Sequence, residues 1–167
     1  MKEPLIREET GSDIPRIREV ILAAFGGTGE ADLVDALRHA DALTLSFVAE
    51  VEGMVVGHVA FSPIAIGDHQ ALALAPLAVD PAWQRGGIGS SLTRCALEAC
   101  RAFGHQLVIV LGSTRFYGRF GFTPALPFGI ECPFEGAEEH FMVLELNSGA
   151  ALSCHGRVRY RPEFDSL

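Results

Sequence analysis

The sequence lacks the features that would place the protein in a membrane or on a nucleic acid. It contains no run of about 18 apolar residues, the length that a transmembrane helix needs. Residues 1–7 lack the apolar core of a signal peptide. The net charge of −8 at pH 7 disfavours non-specific binding to nucleic acid or to an anionic membrane surface. These absences predict a cytoplasmic protein with neither kind of partner.

Cysteine is scarce, and its spacing fits no metal site. Cys95, Cys100, Cys132 and Cys154 show no Cys-x-x-Cys or related pattern. Cys95 and Cys100 lie on one predicted helix, in a poor arrangement for a disulfide or a shared metal. We therefore expect reduced thiols and no bound metal, in agreement with a cytoplasmic location.

Length and apolar periodicity predict one domain, over residues 1–167, of mixed α/β class. The predicted strands are 5–8, 44–51, 54–64, 71–79, 107–111 and 140–146, and the predicted helices are 14–25, 30–39, 90–103 and 115–120. Residues 122–139, rich in proline and glycine, are predicted to be a long loop. This order of elements predicts a mixed central sheet with helices on both faces.

Four local features sharpen that prediction. Asp13 is expected to cap the first helix, which has a proline in its first turn. The dipeptide Glu52-Gly53 indicates a hairpin turn. Pro76 interrupts an apolar strand and predicts either a bulge or edge, or a strand end that leaves amides free for a ligand. The buried face of the helix over 90–103 is expected to hold Leu92, Ala96, Ala99 and Phe103.

The most informative segment joins an apolar strand to an amphipathic helix through the loop Gln84-Arg85-Gly86-Gly87-Ile88-Gly89-Ser90. Glycine lets the backbone come close to a ligand, and loop amides with the free N–H groups of a first helical turn form an anion site. The loop has no lysine, which excludes the phosphate loop of nucleotide hydrolases. Leu92 replaces the third glycine of a dinucleotide fingerprint. The loop predicts a phosphorylated ligand, and the alternative is a turn without one.

Two motifs give this chain a family resemblance. Gln84, Gly87 and Gly89 fit the spacing Gln/Arg-x-x-Gly-x-Gly/Ala, which resembles the pyrophosphate loop of the GCN5-related N-acetyltransferases. Residues 115–122, Arg-Phe-Tyr-Gly-Arg-Phe-Gly-Phe, are similar to the Phe-Tyr-x-x-x-Gly-Phe segment of that family. Residues 44–49, 57–63, 75–81 and 156–164 resemble its YhbS-like bacterial subgroup.

The resemblance implies a single-domain fold of that family and a transfer of acetyl from acetyl-coenzyme A (acetyl-CoA) to an amine. The alternative is a coenzyme-A-binding sensor that does not turn over. The acceptor would be a small molecule or a protein, and an acidic surface favours a cationic amine. A homodimer formed through exposed strand edges is compatible with the sequence.

The resemblance also implies the site residues. Contacts to the cosubstrate are expected from Leu77, Ala78, Val79, Gln84, Arg85, Gly86, Gly87, Ile88, Gly89, Ser90, Ser113 and Tyr117. The backbone N–H of Leu77 would polarise the thioester carbonyl. Tyr117 would act as the general acid, since a phenol with a pKa near 10 can protonate a departing thiolate. The alternative is that Tyr117 is a core aromatic residue beside its neighbouring phenylalanines.

The general base is missing from its usual position. Several family members carry a glutamate eleven residues before the loop glutamine, and this chain has Ala73 there. His58 is the candidate base because an imidazole titrates in the required range. Strand alternation puts His58 and Ser62 on one face of the third strand. There are three alternatives: the base is Glu30, the base is another carboxylate that lies in a loop, or the amine arrives already neutral. In each of these cases His58 is purely structural.

Overall fold

The computed structural model describes residues 3–167. Its helices are α1 (Ile14–Phe25), α2 (Gly29–His39), α3 (Ile88–Ala102) and α4 (Thr114–Gly118). Its strands are β1 (Leu5–Glu8), β2 (Leu45–Val51), β3 (Met54–Ile66), β4 (His69–Val79), β5 (Leu107–Leu111), β6 (Thr123–Pro124), β7 (Ile130–Glu131), β8 (Phe141–Glu145) and β9 (Gly156–Arg159). Every predicted helix and strand is present, with boundaries that shift by up to two residues at most of the ends.

The sheet mixes antiparallel and parallel pairs, as the order of elements predicts. Over residues 3–167 the strand order is β1-β2-β3-β4-β5-β8-β6, and β9 pairs with β3 and β7. The pairs β1–β2, β2–β3 and β5–β8 are antiparallel, and β4–β5 is parallel. The β2–β3 hairpin turns at Glu52 and Gly53, whose φ angles of 51° and 82° confirm the predicted turn.

The chain forms two compact units, each with its own core. The first comprises the chain up to Ser62, Ala75–Ala96 and Glu163–Leu167, and the second comprises Pro63–Leu74 and Leu97–Pro162. The core of the first unit holds Ile17, Val20, Ile21, Ala31, Val34, Val48, Val55 and Ala78. The core of the second holds Ile64, Ala73, Ile109, Ile130, Phe141 and Val143 among others. The prediction of one domain over residues 1–167 stays a prediction.

Helices cover both faces of the sheet in the first unit. Val48 points to the α1 and α2 side. The next residue of β2, Ala49, pairs with Gly57 of β3 on the opposite face. A Cβ built on Gly57 would lie 2.8 Å from Leu92 Cδ1 and 3.2 Å from Ile88 Cγ2 of α3. The glycine therefore lets α3 pack closely on the sheet. This close packing also keeps the loop that precedes α3 near the sheet.

Replacing Gly57 with valine is expected to lower the free energy of unfolding by about 1–3 kcal/mol, because the new side chain overpacks against Leu92 and Ile88. Urea unfolding followed by circular dichroism measures this change. The matched control is Gly11→Val, since a Cβ at Gly11 meets no atom within 4 Å. Equal stability of the two variants would contradict the close approach of α3.

Two local predictions are wrong. Asp13 stands at the N-cap position of α1 but makes no side-chain cap, because its carboxylate accepts hydrogen bonds from Arg7 at 2.7 Å and from the Thr10 backbone N–H at 2.7 Å. Phe103 is 64% exposed. It follows the last residue of α3, and the buried face at that end is occupied by Cys100, which continues the i, i+4 row from Leu92 and Ala96.

Three strands have no counterpart in the sequence prediction. β6 and β7 are two residues long and lie in the segment predicted to be a loop, and β9 has four residues. Such short strands contain too few residues to establish an alternating pattern, and their partners are distant in sequence.

Candidate active site

The loop after β4 begins at a fixed point of the first unit. The Asp80 backbone N–H donates to the Val56 carbonyl at 2.9 Å. The Asp80 carboxylate accepts a hydrogen bond from the Ala82 N–H at 3.0 Å and pairs with Arg16 at 2.8 Å. These contacts tie the end of β4 to β3 and α1, so the glycine-rich loop leaves from a rigid position.

Gln84 holds the loop to the strand. Its side-chain Nε2 donates to the Val79 carbonyl at 2.9 Å. The sequence assigns Gln84 to ligand contact, whereas the structure gives its amide side chain an internal partner. The position of Gln84 in the motif is therefore also explained by its role in holding the loop to β4.

Two residues of the loop have a left-handed backbone. Arg85 has φ 68° and Gly87 has φ 87°. Left-handed residues in a turn direct neighbouring N–H groups into one concavity, an arrangement that binds anions. Residues 84–87 are exposed, so the concavity is open to solvent.

The loop leads directly into α3. The helix begins at Ile88, two residues earlier than predicted, so Gly89 and Ser90 belong to its first turn. Ile88 is buried and anchors this end of the helix. The N–H groups of a first helical turn have no partner within the helix, and the helix dipole adds positive potential there. The concavity and the helix start supply the two groups of N–H donors that the predicted anion site requires.

The end of β4 carries the other predicted contacts of the first unit. Ala78 is buried in the core beneath α1, and Leu77 and Val79 are half-buried. The parallel ladder to β5 pairs Leu72 with Val108 and Ala73 with Ile109. It ends before Pro76, as expected for a residue without an amide donor.

Tyr117 lies on α4 in the second unit and is 8% exposed. Its ring packs edge-on against Phe116 at 4.9 Å and Phe122 at 5.6 Å between centroids. A Cβ at Gly112 would lie 2.7 Å from its Cε2 atom, so only glycine leaves room for the ring. Burial raises the pKa of the Tyr117 phenol to about 12. The phenol is therefore fully protonated at neutral pH.

Ser113 positions the short helix that carries Tyr117. Its hydroxyl accepts a hydrogen bond from the Phe116 N–H at 3.1 Å, which caps the N-terminus of α4. Its backbone carbonyl accepts the Tyr117 N–H at 3.0 Å. The sequence assigns Ser113 to a cosubstrate contact, and the structure gives its hydroxyl a capping role.

His58 is completely buried on β3. Its Nε2 lies 2.8 Å from Ser46 Oγ and 3.8 Å from Glu9 Oε1. Burial lowers the pKa of its imidazole, and the carboxylate of Glu9 opposes this effect. Over residues 3–167, His58 Nδ1 and Ser62 Oγ are the buried side-chain polar atoms without a hydrogen-bond partner. His58 is thus a neutral, partly unsatisfied imidazole inside the first unit.

Sequence reasoning missed the partners of His58. Ser46 also contacts Glu9, and Glu9 receives two hydrogen bonds from Arg38, at 2.9 and 3.1 Å. Glu9 follows β1, Ser46 lies on β2, and Arg38 lies in the last turn of α2. No sequence motif therefore joins the three residues. The Glu52-Gly53 turn by itself predicts the wrong register, with His58 opposite Phe47. A register shift between Ala49 and Glu50 makes Val48 the partner of His58 and brings Ser46 close to the imidazole.

Comparison with known proteins identifies the family. Residues 14–122 match the sequence model of the acetyltransferase (GNAT) family. The N-acetyltransferase YhbS of Escherichia coli K12 is 37% identical over 164 residues, which cover 96% of this chain and 98% of YhbS. The chain belongs to the GNAT family of acetyltransferases. This confirms the predicted family and YhbS-like subgroup, and the chain is an N-acetyltransferase.

Two solved structures of this family share the fold. The crystal structure of E. coli YhbS in complex with CoA has a TM-score of 0.94 and 35% identity, and the match covers 99% of this chain and 93% of that chain. A GNAT acetyltransferase from Brucella melitensis in complex with acetyl-CoA has a TM-score of 0.83 and 37% identity, over 99% and 100% of the two chains. The predicted mixed α/β fold of the GNAT family is confirmed.

None of the helices described over residues 3–167 has the length and apolar character needed to span a bilayer.

Proposed function

We propose that residues 84–90 bind the pyrophosphate of acetyl-CoA. The observation that carries this proposal is the left-handed backbone of Arg85 and Gly87 directly before the start of α3. A Cβ at Gly87 would meet no protein atom within 4 Å, so the space beside it is open to a ligand. Fixed amides supply local positive potential despite the net charge of −8. The relatives crystallised with CoA and acetyl-CoA support the same ligand.

Leu77 is the proposed donor to the thioester carbonyl. Its backbone N–H would stabilise the negative charge that develops on the carbonyl oxygen during acyl transfer. Ala78 and Val79 continue the same strand and would contact the extended arm of the cosubstrate through their peptide groups. The contacts of Asp80 hold this strand end in place.

Tyr117 is the proposed general acid. A buried phenol whose pKa is raised to about 12 keeps its proton at any physiological pH. It can therefore donate that proton to the thiolate as the carbon–sulfur bond breaks. The rings of Phe116 and Phe122 hold Tyr117 in one orientation, which fixes the direction of its hydroxyl.

The acceptor is proposed to be a cationic amine of a small molecule or a protein. The acidic net charge favours such an acceptor electrostatically. Ala73 is buried in the apolar core and offers no base, so the proton of the amine must be taken by another group.

Two measurements test this function. Isothermal calorimetry with acetyl-CoA measures binding, and a thiol reagent measures free CoA released with a polyamine, an amino sugar, an arylalkylamine and a lysine peptide. We expect binding, together with release that depends on one class of amine. Tight binding without release for any amine would support a CoA sensor, and absence of binding would overturn the assignment of residues 84–90.

A further inference from the structure

We propose that Glu9 and Ser46 are positioning residues that turn His58 into the proton acceptor for the amine substrate. This inference rests on the proposed function and supplies the base that Ala73 cannot provide. It depends on a hydrogen-bonded row that leads from the half-buried Glu9, through Ser46, to the buried imidazole of His58.

The charge on Glu9 fixes the direction of the hydrogen bonds. Burial raises the pKa of the Glu9 carboxyl, but the hydrogen bonds from Arg38 and Ser46 and the nearby imidazole of His58 outweigh it and lower that pKa to about 2, so Glu9 is ionised. A carboxylate only accepts hydrogen bonds, so the Ser46 hydroxyl donates to it. The Ser46 oxygen then accepts from His58 Nε2, which must carry the imidazole proton. The remaining nitrogen, Nδ1, is left with a free lone pair.

That lone pair is buried and has no partner among the described residues. Leaving a buried acceptor unsatisfied is costly, and such atoms mark internal water or a catalytic role. The lone pair is also the basic site of the imidazole. A water molecule or an N–H donor of the acceptor would satisfy it.

His58 lies beside the strand that carries the proposed carbonyl donor. Asp80 of the β4 end donates to Val56 of β3. β3 and β4 are neighbours in the sheet and are joined by the two-residue turn Gly67-Asp68, so they run antiparallel, which brings His58 of β3 towards the segment of β4 that carries Leu77 and Ala78. Val48, the partner of His58 in β2, shares a core cluster with Ala78, so His58 and Ala78 point to the same face of the sheet.

The proton step is balanced without an added reagent. An ammonium acceptor gives one proton through water to His58 Nδ1, which forms an imidazolium and a neutral amine. The nitrogen lone pair of the amine then attacks the thioester carbonyl. As the carbon–sulfur bond breaks, the thiolate takes the proton of Tyr117, and the second proton lost by the new amide nitrogen restores the phenol. The imidazolium is stabilised by Glu9, whose Oε1 lies 3.8 Å from Nε2. His58 returns its proton to water before the next turnover.

The charges that act on His58 come from two elements. Glu9 follows β1 and favours the imidazolium, whereas Arg38, at the end of α2, disfavours it. Both line a cleft of about 300 Å³ together with Ser46, Glu8, Asp41 and Thr44. Glu9, whose carboxyl pKa is lowered to about 2, therefore keeps its negative charge throughout the working pH range.

The first test is nuclear magnetic resonance of the full-length protein labelled with ¹⁵N-histidine. Two-bond ¹H–¹⁵N correlations distinguish imidazoles protonated on Nε2 from those protonated on Nδ1. The His58→Gln variant assigns the His58 signal among the six histidines. We expect the Nε2–H form in the wild type and its loss in Ser46→Ala. The Nδ1–H form in the wild type would overturn the proposal, whether or not any variant folds.

The second test is the pH profile of kcat/KM, measured by thiol release with the amine that the panel identifies. Activity needs neutral His58, so it falls on the acid side of the pKa of its imidazole. His58→Gln should abolish this acid limb and lower kcat/KM at least tenfold. Glu9→Gln removes a charge that favours the imidazolium, so the limb should move down by about one pH unit.

Glu50→Gln is the matched control, because Glu50 also pairs with an arginine, at 3.0 Å from Arg7. The acid limb of the kcat/KM profile of Glu50→Gln should coincide with that of the wild type. Thiol release with the same acid limb in wild type, His58→Gln and Glu9→Gln would overturn the role of His58 and leave the acetyltransferase assignment intact. Absence of thiol release in the wild type would instead count against the proposed acetyl transfer.

Discussion

Replacing Gly87 with valine is expected to raise the Kd for acetyl-CoA by about 10- to 100-fold. Gly87 has φ 87°, a conformation that a β-branched residue adopts at a cost of about 1–3 kcal/mol. If the loop of the free variant gives up this conformation, ligand binding must restore it at that energetic cost. Each 1.4 kcal/mol of that cost lowers the affinity about tenfold. The new side chain would also stand in the space open to the ligand.

Gly53→Val is the control for this experiment. Gly53 has a similar φ of 82° and open space around its Cβ, but it lies in the β2–β3 hairpin turn. Both variants therefore carry comparable backbone strain, and thermal unfolding measures that shared cost. Calorimetric titration with acetyl-CoA should separate them. Equal Kd values for the two folded variants would remove the loop from the cosubstrate site.

Replacing Tyr117 with phenylalanine is expected to lower kcat by about 100-fold, the contribution of a positioned general acid. The ring contacts with Phe116 and Phe122 do not involve the hydroxyl, so the variant should fold normally. The Kd for acetyl-CoA should change little, because the proton is needed only as the thiolate leaves. Steady-state thiol release at saturating acceptor measures the effect.

The pH dependence gives an independent check on the same residue. A general acid works while it is protonated, and burial raises the pKa of Tyr117 to about 12. The wild type should therefore show no alkaline fall in kcat due to this phenol up to about pH 10, whereas an unperturbed tyrosine with a pKa of about 10 would be half ionised there.

Tyr160→Phe is the matched control for Tyr117→Phe. Tyr160 is a half-buried phenol with a raised pKa, and its ring lies 5.1 Å from that of Phe134 between centroids. A role confined to Tyr117 predicts that kcat falls in one variant only. Unchanged kcat in Tyr117→Phe would make Tyr117 a core aromatic residue, which is the alternative that the sequence leaves open.

The long elements of the fold were predictable because their side chains repeat with a clear period. Leu33 and Leu37 of α2 and the apolar run of β5 carry that signal. Phe103 was not predictable in the same way. Its burial depends on where α3 ends relative to the sheet, and helix boundaries follow tertiary contacts such as that of Ile88 with Gly57.

The sequence by itself determined the family and the position of the proposed pyrophosphate loop, because Gln84, Gly87 and Gly89 lie within one short segment whose spacing reflects local backbone geometry. The tertiary structure alone decided what several of the predicted functional or capping side chains contact. Gln84 donates a hydrogen bond to Val79, Ser113 caps α4, and Asp13 pairs with Arg7. It also joined Glu9, Ser46 and His58. These residues are 37 and 12 positions apart, and only the pairing of strands brings them within hydrogen-bond distance.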